Sequence, residues 1–340
     1  MKKQFSQIYF PSKEQAALQT EEFETVLSPT QVLVKADYDV LSAGTELANY
    51  HALPNTGTAK DGFPFYGIGY SVSGHVVEIG SEVKTLQVGD NVIVRWSGHR
   101  SWFIQEEKKL FKIPTGIDQR FAAFAHLASF SFLGVRKLQL QLGESAMVAG
   151  AGLLGLFALQ IARLSGACPV IVSDFSPERR KLALQLGADF VLDPANPDFI
   201  KRAVELTDGR GPDGVVEVTG YIPALQQALE CIAWQGRISL LGCTRISDQP
   251  IDFYKYVHSR GVTLVGAHTL TRPTMDSRPG QWTEFDDYRT FFKLLQAGKL
   301  QVEPIIHEVV SPRDATAIYD RIGNAKNPPV GILFDWTDFE

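Results

Sequence analysis

The stretch Gly150-Ala151-Gly152-Leu153-Leu154-Gly155 constrains this chain more than any other segment, because of what flanks it. Before it runs the apolar Ser145-Ala146-Met147-Val148-Ala149, which reads as a strand. After it comes Leu156 to Leu164, with the apolar spacing of a helix. A second apolar run, Pro169 to Ser173, ends at Asp174, about twenty residues beyond the last glycine. Strand, glycine turn, helix, strand and terminal acid in that order are the pattern of a dinucleotide-binding βαβ unit. Gly150 is expected to make the tight turn, Gly152 to leave room for a pyrophosphate, and Gly155 to let the helix pack close to the strand. The unbonded N–H groups of the helix's first turn, at Leu153 and Leu154, would face the phosphates.

Asp174 bears on which dinucleotide is held. A carboxylate there accepts hydrogen bonds from a free ribose 2′-hydroxyl, whereas a 2′-phosphate would bring two anions together, so NAD(H) is expected over NADP(H). A helix N-cap is the other role open to Asp174, since Ser173-Asp174-Phe175-Ser176-Pro177-Glu178 also has the composition of a helix start. Arg179 and Arg180 stand within reach of an adenine face or a phosphate. Solvation on the first helical turn is the alternative for both.

At 340 residues the chain exceeds the usual size of one domain, so two are expected. Its 44% hydrophobic and 21% charged residues are those of an ordinary globular enzyme and exclude a disordered chain. A net charge of −5 without a long basic run gives no electrostatic reason to expect nucleic acid or an anionic membrane as partner. A small-molecule substrate remains. Met1 to Gln7 runs into Pro11 and Lys13-Glu14 before any apolar core long enough for a signal peptide. No apolar stretch approaches the length of a membrane span, and Cys168, Cys231 and Cys243 are scattered. These features predict a reduced, cytoplasmic protein.

Up to about residue 120, short alternating runs such as Gln31 to Ala36, Val72 to Ile79 and Asn91 to Arg95 predict a β-rich domain. A helical stretch from Arg120 to Leu138 follows. Strands then alternate with helices to about Gly266, which implies a parallel sheet covered on both faces. Glycines at the ends of the strands Gly214–Val218, Gly236–Gly242 and Gly261–Gly266 suit close approach of a ligand. The segment Thr271 to Tyr288 reads as an irregular loop, followed by a helix from Asp287 to Gln296 and a closing strand, Gly331 to Phe334. The apolar run Val262 to Val265 is either an edge strand that pairs with a second copy, giving a homodimer or homotetramer, or an interior strand.

The order of these signals resembles the medium-chain dehydrogenase/reductase superfamily, of the alcohol and polyol dehydrogenase type, over nearly the whole chain. The matching residues are Gly44-Thr45-Glu46, the glycines Gly69, Gly74 and Gly80 around Val76-Val77-Glu78-Ile79, and Val88-Gly89-Asp90-Asn91-Val92. Further on come the glycine fingerprint, Gly187-Ala188-Asp189, Val218-Thr219-Gly220 and Leu241-Gly242. The resemblance implies an α/β protein: a GroES-like β-barrel catalytic domain, expected over 1–127 and 269–340, interrupted by a Rossmann doubly wound parallel-sheet domain over 128–268. It assigns cofactor contacts to Thr219, Gly220, Leu241, Gly242, Ala267 and His268.

Departures from the family pattern matter as much. Zinc-dependent members carry a cysteine before the Gly-Thr pair, a His-Glu pair after the first glycine of the triplet, and a further ligand just before the Rossmann domain. Here those positions hold Ala43, Tyr70-Ser71 and Ala125, and no cysteine precedes Cys168 for a structural zinc lobe. Alanine has no lone pair to give, and tyrosine and serine are poor substitutes for imidazole and carboxylate. No zinc is expected. A hidden site built from His51, His99 and His126 has no H-x-x-x-H or C-x-x-C spacing behind it.

The resemblance therefore implies a zinc-independent dehydrogenase that interconverts a secondary alcohol of a sugar, cyclitol or other polyhydroxylated or cyclic substrate and its ketone. Hydrogen bonds and a general base must replace the metal. Tyr70, Glu46, Thr45 and His126 are the candidates around the vacated position. Packing is the alternative for Tyr70 and His126, and a buried ion pair, for instance with Arg95, for Glu46. Ser42, His51, Arg95, Trp96 and His99 are candidate substrate contacts, with the loop Trp96 to Trp102 resembling a carbohydrate-binding rim. A quinone or enoyl reductase acting on a C=C bond, or an inactive nucleotide-binding relative, are the other readings of the same fold.

Overall fold

The computed structural model describes residues 2–339, and backbone contacts divide them into two compact units, up to His126 together with Ile306 onward, and Leu127–Ile305. The first unit begins with a hairpin of β1 (Lys2–Tyr9) and β2 (Ala17–Glu24). It continues with β3 (Gln31–Leu41), α1 (Ala43–Tyr50), the short α2 (Gly57–Asp61), β4 (Ser71–Ile79), β5 (Asn91–Arg95), β6 (Trp102–Glu106), β7 (Phe111–Lys112) and α3 (Gln119–Ala122). Here α4 (Ala125–Leu138) starts, and the second unit takes over with β8 (Ala146–Ala149).

The second unit alternates as the sequence predicts: α5 (Leu153–Leu164), β9 (Val170–Ser173), α6 (Pro177–Gln185), β10 (Phe190–Leu192), α7 (Phe199–Glu205), β11 (Gly214–Glu217), α8 (Ile222–Cys231), β12 (Arg237–Leu240), β13 (Thr263–Gly266) and α9 (Glu284–Gln296). The chain then returns to the first unit through β14 (Glu308–Val310), α10 (Ala315–Gly323) and β15 (Ile332–Asp335).

Consecutive residues of β3, β4 and β5 are buried, and one face of these strands forms the apolar core of the first unit. Val32, Val34, Val72, Val92 and Val94 are all at most 1% exposed. They pack with Phe334 and Trp336 from the returning C-terminal segment. That segment belongs here because β15 pairs antiparallel with β3, placing Leu333 opposite Val40. The resulting seven-stranded sheet runs β14-β15-β3-β4-β5-β7, with β6 also on β3.

The second unit is a parallel six-stranded sheet in the order β10-β9-β8-β11-β12-β13. Its strands are short, continuous apolar runs because both faces are covered. The order reverses between β8 and β11, and a doubly wound sheet opens a crevice beyond the strand ends at such a point. The glycine turn after β8 and the loop after β11 lie at that point. A Cβ on Gly150 would meet Thr219 Cγ2 at 2.8 Å.

Two expectations are corrected. The segment 269–305 belongs to the parallel-sheet unit, not to the first unit, because the Phe291 ring of α9 packs 6.3 Å from that of Phe157 on α5 and Asp287 pairs with Arg136 of α4. Helix α9 starts at Glu284, where the Thr283 hydroxyl accepts from Asp286 N, so the irregular stretch is shorter than 271–288. Of the two readings of Val262 to Val265, the edge strand is the one found: β13 pairs with β12 at the end of the sheet order. No helix among the described residues is long and apolar enough to cross a membrane.

Candidate active site

In the second unit the glycine turn has the geometry that each glycine needs. Gly150 adopts φ +106°, open to glycine and strained for other residues. A Cβ on Gly155 would lie 1.9 Å from Gly150 O, so helix α5 can sit this close to β8 only without one. Gly152 is the opposite case: a Cβ there would meet nothing within 4 Å. It is the N-cap of α5 and contributes no side-chain acceptor, which leaves the first-turn N–H groups at Leu153 and Leu154 available to an anion.

Asp174 closes this turn from beside. Its Oδ2 accepts from Ala151 N and its Oδ1 from Ser176 N, each at 2.8 Å. Arg179 Nη1 lies 3.8 Å from Oδ2. The N-cap of α6 is Ser176, not Asp174, because the Ser176 hydroxyl accepts from Arg179 N. Arg180 is committed elsewhere, donating to Asp174 O and Phe175 O and pairing with Asp193.

Beyond β11 the carboxylate of Glu217, 1% exposed, accepts from Thr219 N at 2.7 Å, from the Thr219 hydroxyl and from Gly220 N. Burial pushes its pKa up, and these hydrogen bonds pull it partly back. Sequence reading missed Glu217. An acid ending an apolar strand two residues before a Thr-Gly pair is the signal that would have found it.

Gly220 and Gly242 meet each other: a Cβ on Gly242 would fall 2.2 Å from Gly220 N. The expected reason for a glycine at 242, approach of a ligand, is thus replaced by approach of a neighbouring loop. Leu241 packs against Gly134 of α4 and is buried, as is Ala267. His268 caps a following turn, its Nδ1 accepting from Leu270 N at 3.2 Å. All of these stand at the C-terminal ends of parallel strands, on the edge that carries the glycine turn.

The first unit holds a cleft of about 630 Å³ lined by Thr45, Tyr70, Trp96, Arg100 and Trp102, with further rings from β1, β2 and the loop before β4. The Tyr70 hydroxyl donates to Ser42 Oγ, and its ring stacks on Trp96 at 5.0 Å. His126 is fully buried, edge-on to Tyr70 at 6.0 Å and to Trp96 at 4.9 Å. Ser42, Tyr70, Trp96 and His126 are therefore one cluster, with Thr45 on the same wall of the cleft as Tyr70.

Glu46 and His99 lie behind that wall. His99 is fully enclosed, its Nε2 3.0 Å from Glu46 Oε2 and its Nδ1 2.9 Å from Asp39 Oδ2. Glu46 Oε1 accepts from Ser42 N at 2.8 Å, and Oε2 also accepts from the Tyr319 hydroxyl. Trp336 Nε1 donates to Asp39 Oδ2 at 2.9 Å. Burial alone would lower the imidazole's pKa, but the Asp39 and Glu46 carboxylates push it up to about 10. Gly69 makes room for this ring, since a Cβ there would lie 2.5 Å from His99 Cγ.

Four site expectations change. Glu46 is not placed to serve as base or substrate ligand: both of its oxygens are engaged inside the unit, and its ion-pair partner is His99 rather than Arg95. His99 likewise has no surface to offer a substrate. His51 pairs with Glu14 at 3.1 Å, and neither it nor Arg95 lines the cleft. Sequence reading missed Asp39, Tyr319 and Trp336 because they come from β3, α10 and the segment after β15, distant in sequence.

The positions that resemble zinc ligands do not fit a zinc ion. Ala43 and Ala125 have no donor atom, the Tyr70 hydroxyl is directed at Ser42, and the Ser71 hydroxyl donates to Ala123 O. Among the described residues no group of three or more His, Cys, Asp or Glu is arranged to hold a metal.

A mostly antiparallel β unit with a polar, aromatic cleft, and a doubly wound unit with a dinucleotide turn, define a two-domain nucleotide-dependent oxidoreductase. Residues 28–133 match the family described as alcohol dehydrogenase GroES-like domain, and residues 154–284 the family described as zinc-binding dehydrogenase. The chain is 33% identical over 269 residues to an L-threonine 3-dehydrogenase of Pyrococcus horikoshii, covering 70% of this chain and 73% of the relative. It is 28% identical over 316 residues to a D-guloside 3-dehydrogenase of Escherichia coli, covering 87% and 89%. It belongs to the medium-chain dehydrogenase/reductase superfamily, alcohol dehydrogenase type, whose members interconvert alcohols and ketones.

Solved structures share the fold at lower identity. An Escherichia coli oxidoreductase/dehydrogenase of unknown specificity superposes with TM-score 0.84 at 21% identity, covering 98% of this chain and 99% of that one. A putative zinc-binding dehydrogenase of Sinorhizobium meliloti bound to NADP gives 0.81 at 21%, with 98% and 99% coverage. RspB of Escherichia coli with NADH gives 0.80 at 17%, again with 98% and 99%.

Proposed function

We propose that this chain is an NAD(H)-dependent dehydrogenase that oxidises a secondary alcohol of a sugar, cyclitol or related polyhydroxylated ring to the ketone without zinc. The observation that carries the reading is the Tyr70 hydroxyl in the cleft, donating to Ser42 Oγ where zinc-dependent relatives have a metal ligand. When bound, the nicotinamide supplies the hydride acceptor. The protein must then take the hydroxyl proton, a step worth typically 10²–10⁴-fold when a positioned side chain does it. For Tyr70 to take the substrate proton, its own phenolic proton must pass to Ser42 Oγ and the Ser42 hydroxyl proton to solvent, which the half-buried Ser42 reaches. Glu46 holds Ser42 through its backbone N–H, so the buried His99–Glu46 pair is a positioning element. His126 fixes the Tyr70 and Trp96 rings by edge-on contact.

NAD(H) is favoured because Asp174 presents a carboxylate to the ribose position. The fold-related proteins carry NADP in one case and NADH in another, so the preference rests on Asp174 and its neighbour Arg179. The relatives named for guloside and threonine both oxidise a carbinol at a carbon designated 3, which supports a secondary alcohol. The exposed edge of β13 supports pairing with a second copy, and three unpaired cysteines support a reducing, cytoplasmic setting.

The test is a panel of sugars, cyclitols and simple alcohols with NAD or NADP, followed as reduced-nicotinamide absorbance on chelator-treated, metal-analysed protein. Turnover with NAD in zinc-free protein, cut at least 100-fold by Tyr70→Phe with NADH binding retained, is the expected result. Stoichiometric zinc whose removal abolishes activity would overturn it.

A further inference from the structure

The cleft of the first unit is larger and more polar than a simple alcohol requires. Its volume of about 630 Å³ lies within the range of roughly 300–1,000 Å³ for pockets that enclose whole drug-sized ligands. Its lining includes Trp96, stacked on Tyr70 at 5.0 Å, with Trp102, Phe5, Phe23 and Arg100.

Arg100 shares a buried, acceptor-free Nε with Arg95, Arg237 and Arg272, but Arg237 and Arg272 each have a carboxylate partner. The Arg100 guanidinium lies 5.6 Å over the Phe5 ring. Among the described residues no carboxylate pairs with it. Glu21 borders the same cleft, but its carboxylate accepts from Gln19 Nε2 instead. The backbone is fixed: Arg100 bridges to Gln7 of β1, and the neighbouring His99 O accepts from Ile8 N at 3.0 Å. Burial holds the Arg100 pKa below its ordinary value, the mark of a cation that lacks a counter-charge. A partly desolvated arginine without an anion is costly, and its planar fork suits two oxygens of a carboxylate or phosphate.

The aromatic surface adds a second specificity. Trp96 is 54% exposed and held at φ +54°, a conformation costly for a bulky residue. That turn presents the indole next to Tyr70. Flat rings beside a cation recognise a sugar ring or planar group carrying an oxyanion.

We propose that this cleft is a subsite for an acidic, ring-containing substrate, in which Arg100 receives a carboxylate or phosphate group while the exposed Trp96 stacks against the ring and Tyr70 faces the reacting hydroxyl. The inference deepens the dehydrogenase reading and rests on it for the role of Tyr70 alone; the Arg100 subsite stands on its own residues.

The experiment compares three probes that share one aglycone: phenyl β-D-glucoside, phenyl β-D-glucuronide and phenyl β-D-glucoside 6-phosphate. Binding to the full chain is measured by calorimetry and by quenching of tryptophan fluorescence. Turnover of each probe with NAD or NADP is recorded in parallel. At least one acidic probe is expected to bind tenfold or more tightly than the neutral one, and the better of the two identifies the oxyanion. Arg100→Met should abolish that preference while shifting the neutral probe's Kd less than about twofold, and Arg100→Lys should restore part of it. NADH affinity reports that each variant is folded.

Equal affinity for all three probes in the unaltered protein, no binding of any, or a preference retained in Arg100→Met overturns the subsite. Oxidation of the neutral glucoside without acidic preference would leave the dehydrogenase reading standing and remove only the subsite. Arg100-dependent binding without turnover of any alcohol would do the reverse.

Discussion

His99 Nε2 lies 3.0 Å from Glu46 Oε2 in a fully enclosed pair. The pair is tied on one side to Asp39 and on the other to the backbone of Ser42, which holds the Tyr70 hydroxyl. Removing one partner of such a buried pair typically costs about 3–5 kcal/mol, because the other charge is left uncompensated. His99→Gln is therefore expected to lower the unfolding midpoint markedly. The pH dependence has a definite sign. The imidazole pKa is raised from 6.5 to about 10 in the fold, so its contribution is fully present below 6.5 and is lost as pH rises through 10. Denaturant unfolding between pH 6.5 and 10.5 should show the unaltered protein losing stability more steeply than the variant. Parallel curves would contradict a protonated His99.

Gly152 and Gly155 are expected to fail in different ways. A side chain at 152 meets no protein atom, whereas one at 155 strikes Gly150 O at 1.9 Å. Gly152→Val should fold with nearly unchanged thermal stability yet weaken NADH binding more than tenfold by filling the phosphate space. Gly155→Ala should lower the melting temperature, because α5 must move off the turn. Calorimetric titration beside thermal unfolding separates the two, and normal NADH affinity in Gly152→Val would place the dinucleotide elsewhere.

Asp174→Ala removes the acceptor for Ala151 N and Ser176 N as well as the charge proposed to face the ribose. The NADH Kd is expected to rise about tenfold, equivalent to one hydrogen bond to a charged group, ~1.4 kcal/mol. NADPH should gain relative to NADH, since Arg179 is released from a carboxylate 3.8 Å away. An unchanged ratio of the two dissociation constants would remove Asp174 from cofactor choice.

The parts of this molecule legible from sequence are those encoded locally. The glycine turn, Asp174 and the alternation of β8 through β12 could be read because each depends on neighbours within about thirty residues, the span of one βαβ unit. The buried acid–imidazole cluster could not. Asp39, Glu46, His99, Tyr319 and Trp336 converge from β3, α1, a loop, α10 and the segment just after β15, and nothing in the spacing of 46 and 99 announces a pair. Glu46 is a candidate base because it adjoins a motif, and that the ion-pair alternative holds, with His99 as partner, follows from long-range packing alone. The second domain boundary was misplaced for the same reason: α9 resembles any amphipathic helix until its Phe291 is seen against Phe157.

Asp287 provides a test confined to the parallel-sheet unit. Its carboxylate is buried, 3.0 Å from Arg136 Nε and 3.8 Å from Arg272 Nη2. Arg136 in turn stacks 3.6 Å over Trp282, and Arg272 donates to Ser129 of α4. The cluster thus ties the irregular segment before α9 to α4. Burial outweighs the two arginines and pushes the Asp287 pKa up from 3.8 to about 6. A raised carboxyl contributes stability that is fully present below 3.8 and is lost as pH climbs through 6. Asp287→Asn cannot titrate. The stability difference between the unaltered protein and this variant should therefore widen by up to about 3 kcal/mol between pH 7.5 and 4. At pH 7.5 Asp287→Ala should be destabilised by about 3–5 kcal/mol, because the two arginines lose a buried counter-charge. Denaturant titrations of the three proteins across that range decide the matter: a difference that stays constant or narrows toward acid would mean that Asp287 titrates as an ordinary carboxyl and that the arginines, not burial, set its charge.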